Sequence, residues 1–203
     1  MSTCPRVCIF DIDNTLTVGA LHDERVCPVV GNRSPSWPEN GSGTTSAVLE
    51  TISECIKNGY AIGVASNETR SQETNDTQTA FLKSLAPSID DSFLKSPALQ
   101  GAWSLLADAD AETEIHSQDG GAFGVKQAMY LNILKHYAVP KACWRESIVF
   151  DDQMENLASA HSLGLRTFQA SPECGGIYCE KGCGLPEGAS AFVRMQSHAS
   201  ERI

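Results

Sequence analysis

The stretch "VCIFDIDNTLT", residues 7 to 17, constrains this chain more than any other. An unbroken apolar run, Val7 to Phe10, gives way at once to Asp11, Asp13 and Thr15. A short continuous apolar run bounded by polar residues reads as a strand buried on both faces, the kind found in parallel sheets covered by helices. Carboxylates at the mouth of such a strand need a physical reason, because a buried charge is costly unless it is paired.

The same pattern recurs along the chain. With "RVCIF" (6–10) as the first strand, "YAIGVAS" (60–66) reads as the second and ends in Ser66-Asn67. "SIVF" (147–150) ends in Asp151-Asp152, "LRTFQ" (165–169) reads as the last strand, and "SFLKS" (92–96) as a short one. Helical patterns fall between them. One starts from a Thr44 or Thr45 cap and runs to about Lys57, with Val48, Leu49, Ile52, Cys55 and Ile56 on one face and Asn58-Gly59 as its stop. Others cover 76–85, Ala98 to Ala107, Val125 to Tyr137, and Asn156 to Leu163, where Gly164 closes the last. Residues 108–124 read as polar loop and the segment from Ser171 as an irregular, cysteine-containing tail. Strands alternating with helices predict an α/β, Rossmann-like parallel sheet with helices on both faces, as a single domain over 1–203. Ligands bind such sheets outside the carboxyl ends of the strands. If the strands are neighbours, Asp11-x-Asp13, Ser66-Asn67 and Asp151-Asp152 converge on one edge.

Composition narrows the partners. The 203 residues carry a net charge of −10 with 41% hydrophobic residues. A field of that sign disfavours nucleic acid and anionic membranes, and the Lys and Arg residues form no compensating patch. No apolar stretch approaches the roughly 20 residues of a membrane helix, and no basic-then-apolar leader opens the chain, so a cytoplasmic location is expected. Of the eight cysteines, Cys8, Cys55 and Cys143 read as small core residues, with Cys4 and Cys27 dispersed. Cys174, Cys179 and Cys183 cluster without a nearby His. They read as thiols on a Gly-rich loop, open to a Cys174–Cys183 or Cys179–Cys183 disulfide on oxidation, with zinc the weaker reading.

Four acids brought to one edge, Asp11, Asp13, Asp151 and Asp152, repel one another and call for a counter-charge. A hard divalent cation with oxygen ligands answers this, and Mg2+ characteristically works with phosphate substrates. One lysine could neutralise the rest. The constellation resembles the phosphatase branch of the haloacid dehalogenase superfamily. Asp11, Asp13 and Thr15 match its Asp-x-Asp-x-Thr motif, and Ser66 its strand-end Ser or Thr. Lys126 in "FGVKQAMY" matches its lone lysine; Asp151, Asp152 and Asn156 in "DDQMEN" match its acidic pair with a downstream Asn.

The resemblance implies a division of roles. Asp11 attacks phosphorus to form an aspartyl-phosphate. Asp13 protonates the leaving oxygen and then activates water, and its backbone carbonyl joins the metal. Asp152 and Asp11 ligate Mg2+ directly, and Asp151 holds a metal-bound water or pairs with Lys126. Asn156 orients these carboxylates. Ser66 and Lys126 hold the phosphoryl oxygens, with Thr15 and Asn67 on the same substrate-binding side. A second Asp, at position 13, favours phosphoryl transfer over dehalogenation, since a halide leaving group needs no proton.

Substrate specificity is expected to lie in a short flap, Val18 to Gly43, because no insert is long enough for a full cap domain. Arg25, with His22, Arg33 and Trp37, is placed to touch substrate from that flap. An open site of this kind admits a small phosphomonoester or a bulky phosphoprotein, unless a second subunit closes it as a homo-oligomer. The alternatives are a phosphotransferase or mutase acting on a sugar or nucleotide phosphate, and a phosphate-sensing module with vestigial catalysis.

Overall fold

The computed structural model describes residues 4–16, 46–66, 82, 91–101, 122–170, 185–186 and 188–200. The flap with His22, Arg25, Arg33 and Trp37, the strand-end residue Asn67, and Cys27, Cys174, Cys179 and Cys183 lie outside these residues, as does all but Leu82 of the 76–85 helix.

Five strands form one parallel sheet: β1 (Val7–Phe10), β2 (Ala61–Ser66), β3 (Leu99–Gly101), β4 (Ile148–Asp151) and β5 (Arg166–Gln169), in the order β3-β2-β1-β4-β5. The strand with the opening motif is therefore central, and every residue of β1 and β4 is buried. Register aligns Phe10 with Val64 on one side and Phe150 on the other, so the three central strands end at nearly one level. Side-chain alternation along β1 feeds two cores. Cys8 and Phe10, with Ile62, Val64, Ile148 and Phe150, join one layer; Val7 and Ile9, with Val149, join the other. Phe10 stacks on Phe150 at 4.7 Å between ring centroids, a contact worth roughly 0.5–1.5 kcal/mol beyond its buried area.

The helices are α1 (Ser46–Lys57), α2 (Asp91–Leu94), α3 (Ala122–His136), α4 (Met154–Ser162) and α5 (Gly188–Ser200). α1 buries Ala47, Val48, Thr51, Ile52 and Cys55, a stripe at helical spacing. It ends where Gly59 takes φ +75° and the Tyr60 N–H closes on the Cys55 carbonyl at 2.9 Å. On the opposite face, α3 buries Met129, Tyr130, Ile133 and Leu134 against the sheet. It approaches β2 closely: a Cβ on Gly63 would stand 2.7 Å from Ile133 Cγ2. Among the described residues, no helix is long and apolar enough to cross a membrane.

Four expectations from the sequence are corrected here. Residues 92–96 are not a strand. Asp91–Leu94 is a helical turn, closed by Ser96, whose N–H and hydroxyl both donate to the Phe93 carbonyl (3.0 and 2.8 Å) before Pro97. The helix expected from Ala98 instead begins as β3, because Leu99, Gln100 and Gly101 pair with Val64, Ala65 and Ser66; sheet pairing overrides a weak local propensity. α3 starts at Ala122, inside the segment read as loop; a single Gly124 costs a helix only about 1 kcal/mol and does not stop it. The tail is not irregular throughout. α5 sets Ala189 and Val193 into the core beside α1, and the Ser197 hydroxyl, which disguises the apolar stripe, donates to the Val193 carbonyl at 3.0 Å.

The cysteines read as lone core residues are buried but paired. Cys8 bonds Cys55, tying β1 to α1, and Cys4 bonds Cys143, tying the start of the chain to the 3-10 turn Lys141–Glu146.

The Gly63–Ile133 approach yields a test. Gly63→Ala is expected to lower stability by about 1–3 kcal/mol in urea unfolding, and Ile133→Val in the same chain to recover part of the loss. An unchanged midpoint would mean that α3 does not lie this close to β2.

Candidate active site

The site forms because three parallel strands stop together and the chain turns sharply after each. After β1, the Asp11 N–H still donates to the Phe150 carbonyl at 2.9 Å, so Asp11 extends the sheet ladder by one residue. The chain then winds through a tight turn, Ile12–Leu16, in which Asp13 is extended (φ −69°, ψ 129°) and Asn14 is left-handed (φ 58°, ψ 9°). β4 itself ends on Asp151, and Asp152 and Gln153 lead into α4. α3 brings Lys126 from one face of the sheet to the same edge.

Lys126 is 1% exposed. Its Nζ donates to Asp11 Oδ1 at 2.6 Å, to the Ala65 carbonyl at 2.6 Å and to Asp151 Oδ2 at 3.2 Å. One ammonium thus joins the ends of β1, β2 and β4. Its three donors have three acceptors, the full capacity of the group. Asp151 is equally committed, because its Oδ1 accepts from the Gln153 N–H at 2.9 Å and from Asn156 Nδ2 at 3.0 Å. Asp152 is not. Its Oδ2 accepts from Asn14 Nδ2 at 3.3 Å, while its Oδ1 is buried without a partner.

Asp11, Asp151 and Asp152 each offer a carboxylate oxygen, all within 4.8 Å of one another. Three carboxylates against one ammonium leave two negative charges in a buried place. The titration behaviour reflects that imbalance. Burial is the main force raising the Asp11 carboxyl well above its ordinary value; Lys126 opposes it, and Asp151, Asp13 and Asp152 add to it. Burial, then Asp151, lifts Asp152 to about 6, with its own backbone N–H, Asn14 and Lys126 pulling the other way. Burial alone would lower Lys126, but Asp11 and Asp151 more than reverse it, so the ammonium is held charged. A divalent cation fits this donor set: it matches the excess charge, and the unpartnered Asp152 Oδ1 is an acceptor awaiting a positive partner.

The remaining sequence-derived residues are distributed as follows. Ser66 is buried at the end of β2, one residue beyond the carbonyl that Lys126 holds. Asp13 is half-buried in the turn after Asp11. Thr15 is wholly buried; its hydroxyl has no partner, and its carbonyl accepts from the Leu185 N–H at 3.1 Å. Asn156 reaches Asp151 and not Asp152. Three participants were missed in the sequence: Asn14, the Ala65 carbonyl and Tyr130. Tyr130 lies one turn after Lys126 on α3, buried, with its hydroxyl unpartnered. Only Asn14 left a trace, as an αL-tolerant residue between the motif's Asp and Thr.

No protein-family model and no curated protein sequence matches the chain. Solved structures do match it. The D,D-heptose 1,7-bisphosphate phosphatase of B. bronchiseptica, complexed with magnesium and phosphate, is similar over 96% of this chain and 99% of its own, at 14% identity and a TM-score of 0.58. A protein described as a HAD-like phosphatase of Mesorhizobium loti aligns over 100% and 88% at 12% identity and TM-score 0.47. A HAD family hydrolase of Deinococcus radiodurans R1, with bound phosphate and sodium, aligns over 95% and 89% at 10% identity and TM-score 0.47. The first of these shows a shared fold: the parallel sheet with helices on both faces has the Rossmann-like architecture of that structure.

The raised Asp152 value has a signed consequence. Its folded value of about 6 exceeds the ordinary 3.8, so between those pH values the native state binds more protons than the unfolded state. Stability therefore falls as pH rises through that window. In metal-free protein, melting temperature measured from pH 4 to 7 is expected to fall more steeply for wild type than for Asp152→Asn, and added Mg2+ to flatten the wild-type curve. Parallel curves with and without Mg2+ would contradict a strained, cation-seeking Asp152.

Proposed function

We propose that this chain is a Mg2+-dependent phosphomonoesterase of the haloacid dehalogenase type, acting through an aspartyl-phosphate on Asp11. The observation that carries the reading is the bond from Lys126 Nζ to Asp11 Oδ1 at 2.6 Å, inside a cluster with Asp151 and Asp152. A buried lysine pinning one oxygen of a strand-end carboxylate orients that carboxylate for attack by the other.

Asp11, Asp152 and the Asp13 carbonyl would hold the cation, with Asp151 beside them. Bound there, Mg2+ supplies charge to offset the phosphoryl oxygens and the three acids. Asp11 is the nucleophile. Its oxygen forms a bond to phosphorus as the ester oxygen leaves, and Asp13 gives that leaving oxygen a proton. Asp13, now a carboxylate, takes a proton from the water that attacks the aspartyl-phosphate, which releases phosphate and restores Asp11. Lys126, fixed by Asp151 and the Ala65 carbonyl, keeps its charge through both steps. Ser66, Asn67 and Thr15 serve the phosphoryl group, and Asn156 steadies Asp151. The intact set of acids and the lysine favours turnover over a vestigial, phosphate-sensing role.

For the substrate, the shortness of the 18–43 segment in sequence favours an open site that takes bulky phosphomonoesters, phosphoproteins included, with Arg25 as a candidate substrate contact. The chain is read as a single domain with 18–43 as flap and 171–203 as tail. The cytoplasmic reading rests on net charge; the Cys4–Cys143 and Cys8–Cys55 bonds weigh against it, since disulfides are rare in reducing compartments.

Purified protein with Mg2+ is expected to hydrolyse p-nitrophenyl phosphate, and Asp11→Asn to lower kcat by at least about a thousandfold with a folded circular-dichroism spectrum. No turnover by wild type, or equal turnover by Asp11→Asn, would overturn the reading. A phosphopeptide and sugar-phosphate panel then decides between bulky and small substrates.

A further inference from the structure

Position 14 is backbone-constrained in a way that separates two candidate residues. Its φ of 58° and ψ of 9° fall in the left-handed region, where glycine sits without steric cost and Asn is tolerated. Glycine would satisfy the turn alone. Asn satisfies the turn and adds a donor, and that donor reaches across 138 residues of sequence to Asp152 Oδ2 at 3.3 Å.

The target is a carboxylate of the cluster whose second oxygen is buried without a partner. Asp151 is held at both oxygens by Lys126, Asn156 and the Gln153 N–H. Asp11 is anchored by Lys126. Asp152 has the Asn14 amide on Oδ2 and nothing on the buried Oδ1. It also stands beside Asp151, whose like charge pushes against it. An amide donated from the first turn therefore holds Asp152 against that repulsion, in a cluster where Asp11, Asp151 and Asp152 each offer a carboxylate oxygen within 4.8 Å of the others. Holding a ligand in its bound geometry before the ligand arrives raises affinity by removing the ordering cost. An Asp at position 14 would tolerate the same backbone but would bring another negative charge in place of a donor.

We infer that Asn14 is a positioning residue for the cation: its side-chain amide fixes Asp152 so that Oδ1 is presented to Mg2+, and it thereby sets the Mg2+ affinity of the site. This rests on the cation-dependent reading above, but its test does not need turnover. Full-length wild type and Asn14→Gly are compared by isothermal titration calorimetry with MgCl2 after chelator treatment. The variant keeps the left-handed turn and loses only the amide. The expected result is an Asn14→Gly Kd about tenfold weaker or more and a metal-free melting temperature close to wild type. A merely structural role would move the metal-free melting temperature instead.

A Kd within threefold of wild type, or a tighter one, would overturn the inference. So would an unfolded Asn14→Gly protein, since glycine fits this backbone and collapse would show that the amide holds the fold. A wild type that binds Mg2+ without hydrolysing p-nitrophenyl phosphate would defeat the phosphatase reading and leave the Asn14 comparison intact.

Discussion

Lys126 cannot be buried at 1% exposure without its full set of partners, and the three it has come from three different strand ends. An unpaired buried ammonium would cost several kcal/mol, and so would either acid without it. The contact therefore works in both directions. It lets Asp11 and Asp151 sit inside the protein, and it ties the first motif of the chain to the last across 115 and 25 residues of sequence. Fold and site are one arrangement here, because the charge balance of the site is also what closes the carboxyl edge of the sheet.

That arrangement depends on geometry set well below the site. Strand order places β1 between β2 and β4, so Asp11 has a neighbour on each side. Gly63 lets α3 lie close against the sheet, which is what allows a lysine side chain to reach the strand ends. The Leu185 N–H bonds the Thr15 carbonyl at 3.1 Å just before α5, so the C-terminal part of the chain braces the same turn. The excess negative charge that results is not a defect of packing. It is the state expected of a site that is complete only with a cation present.

The central strands were legible because their burial on both faces writes an unbroken apolar run, and the acids at their ends are conspicuous against it. The edge was not. Leu99–Gly101 carries no strand signature of its own and becomes β3 through pairing with β2. α5 was hidden by serines whose hydroxyls bond within the helix. Within the site, the acids and Lys126 could be named from motif spacing. The resemblance left open whether Asp151 pairs with Lys126 or holds a water, because that depends on which oxygen of each carboxylate is already taken. That Asp151 is saturated and Asp152 is not follows from Asn14, Gln153 and Asn156 acting together, and no spacing rule encodes it. The cysteine pairs were equally unreadable: Cys8 and Cys55 look like core residues and become partners only because β1 and α1 share a layer.

The most direct test of this account is a crystal structure of the full chain grown with Mg2+ and beryllofluoride. The account predicts beryllium bonded to the Asp11 oxygen that Lys126 does not hold, one Mg2+ reached by Asp11 and by Asp152 Oδ1, and Lys126 still bonded to Asp11, Asp151 and the Ala65 carbonyl. A structure in which the cation sits elsewhere, or in which the side chains of Asp11 and Asp152 diverge, would contradict it.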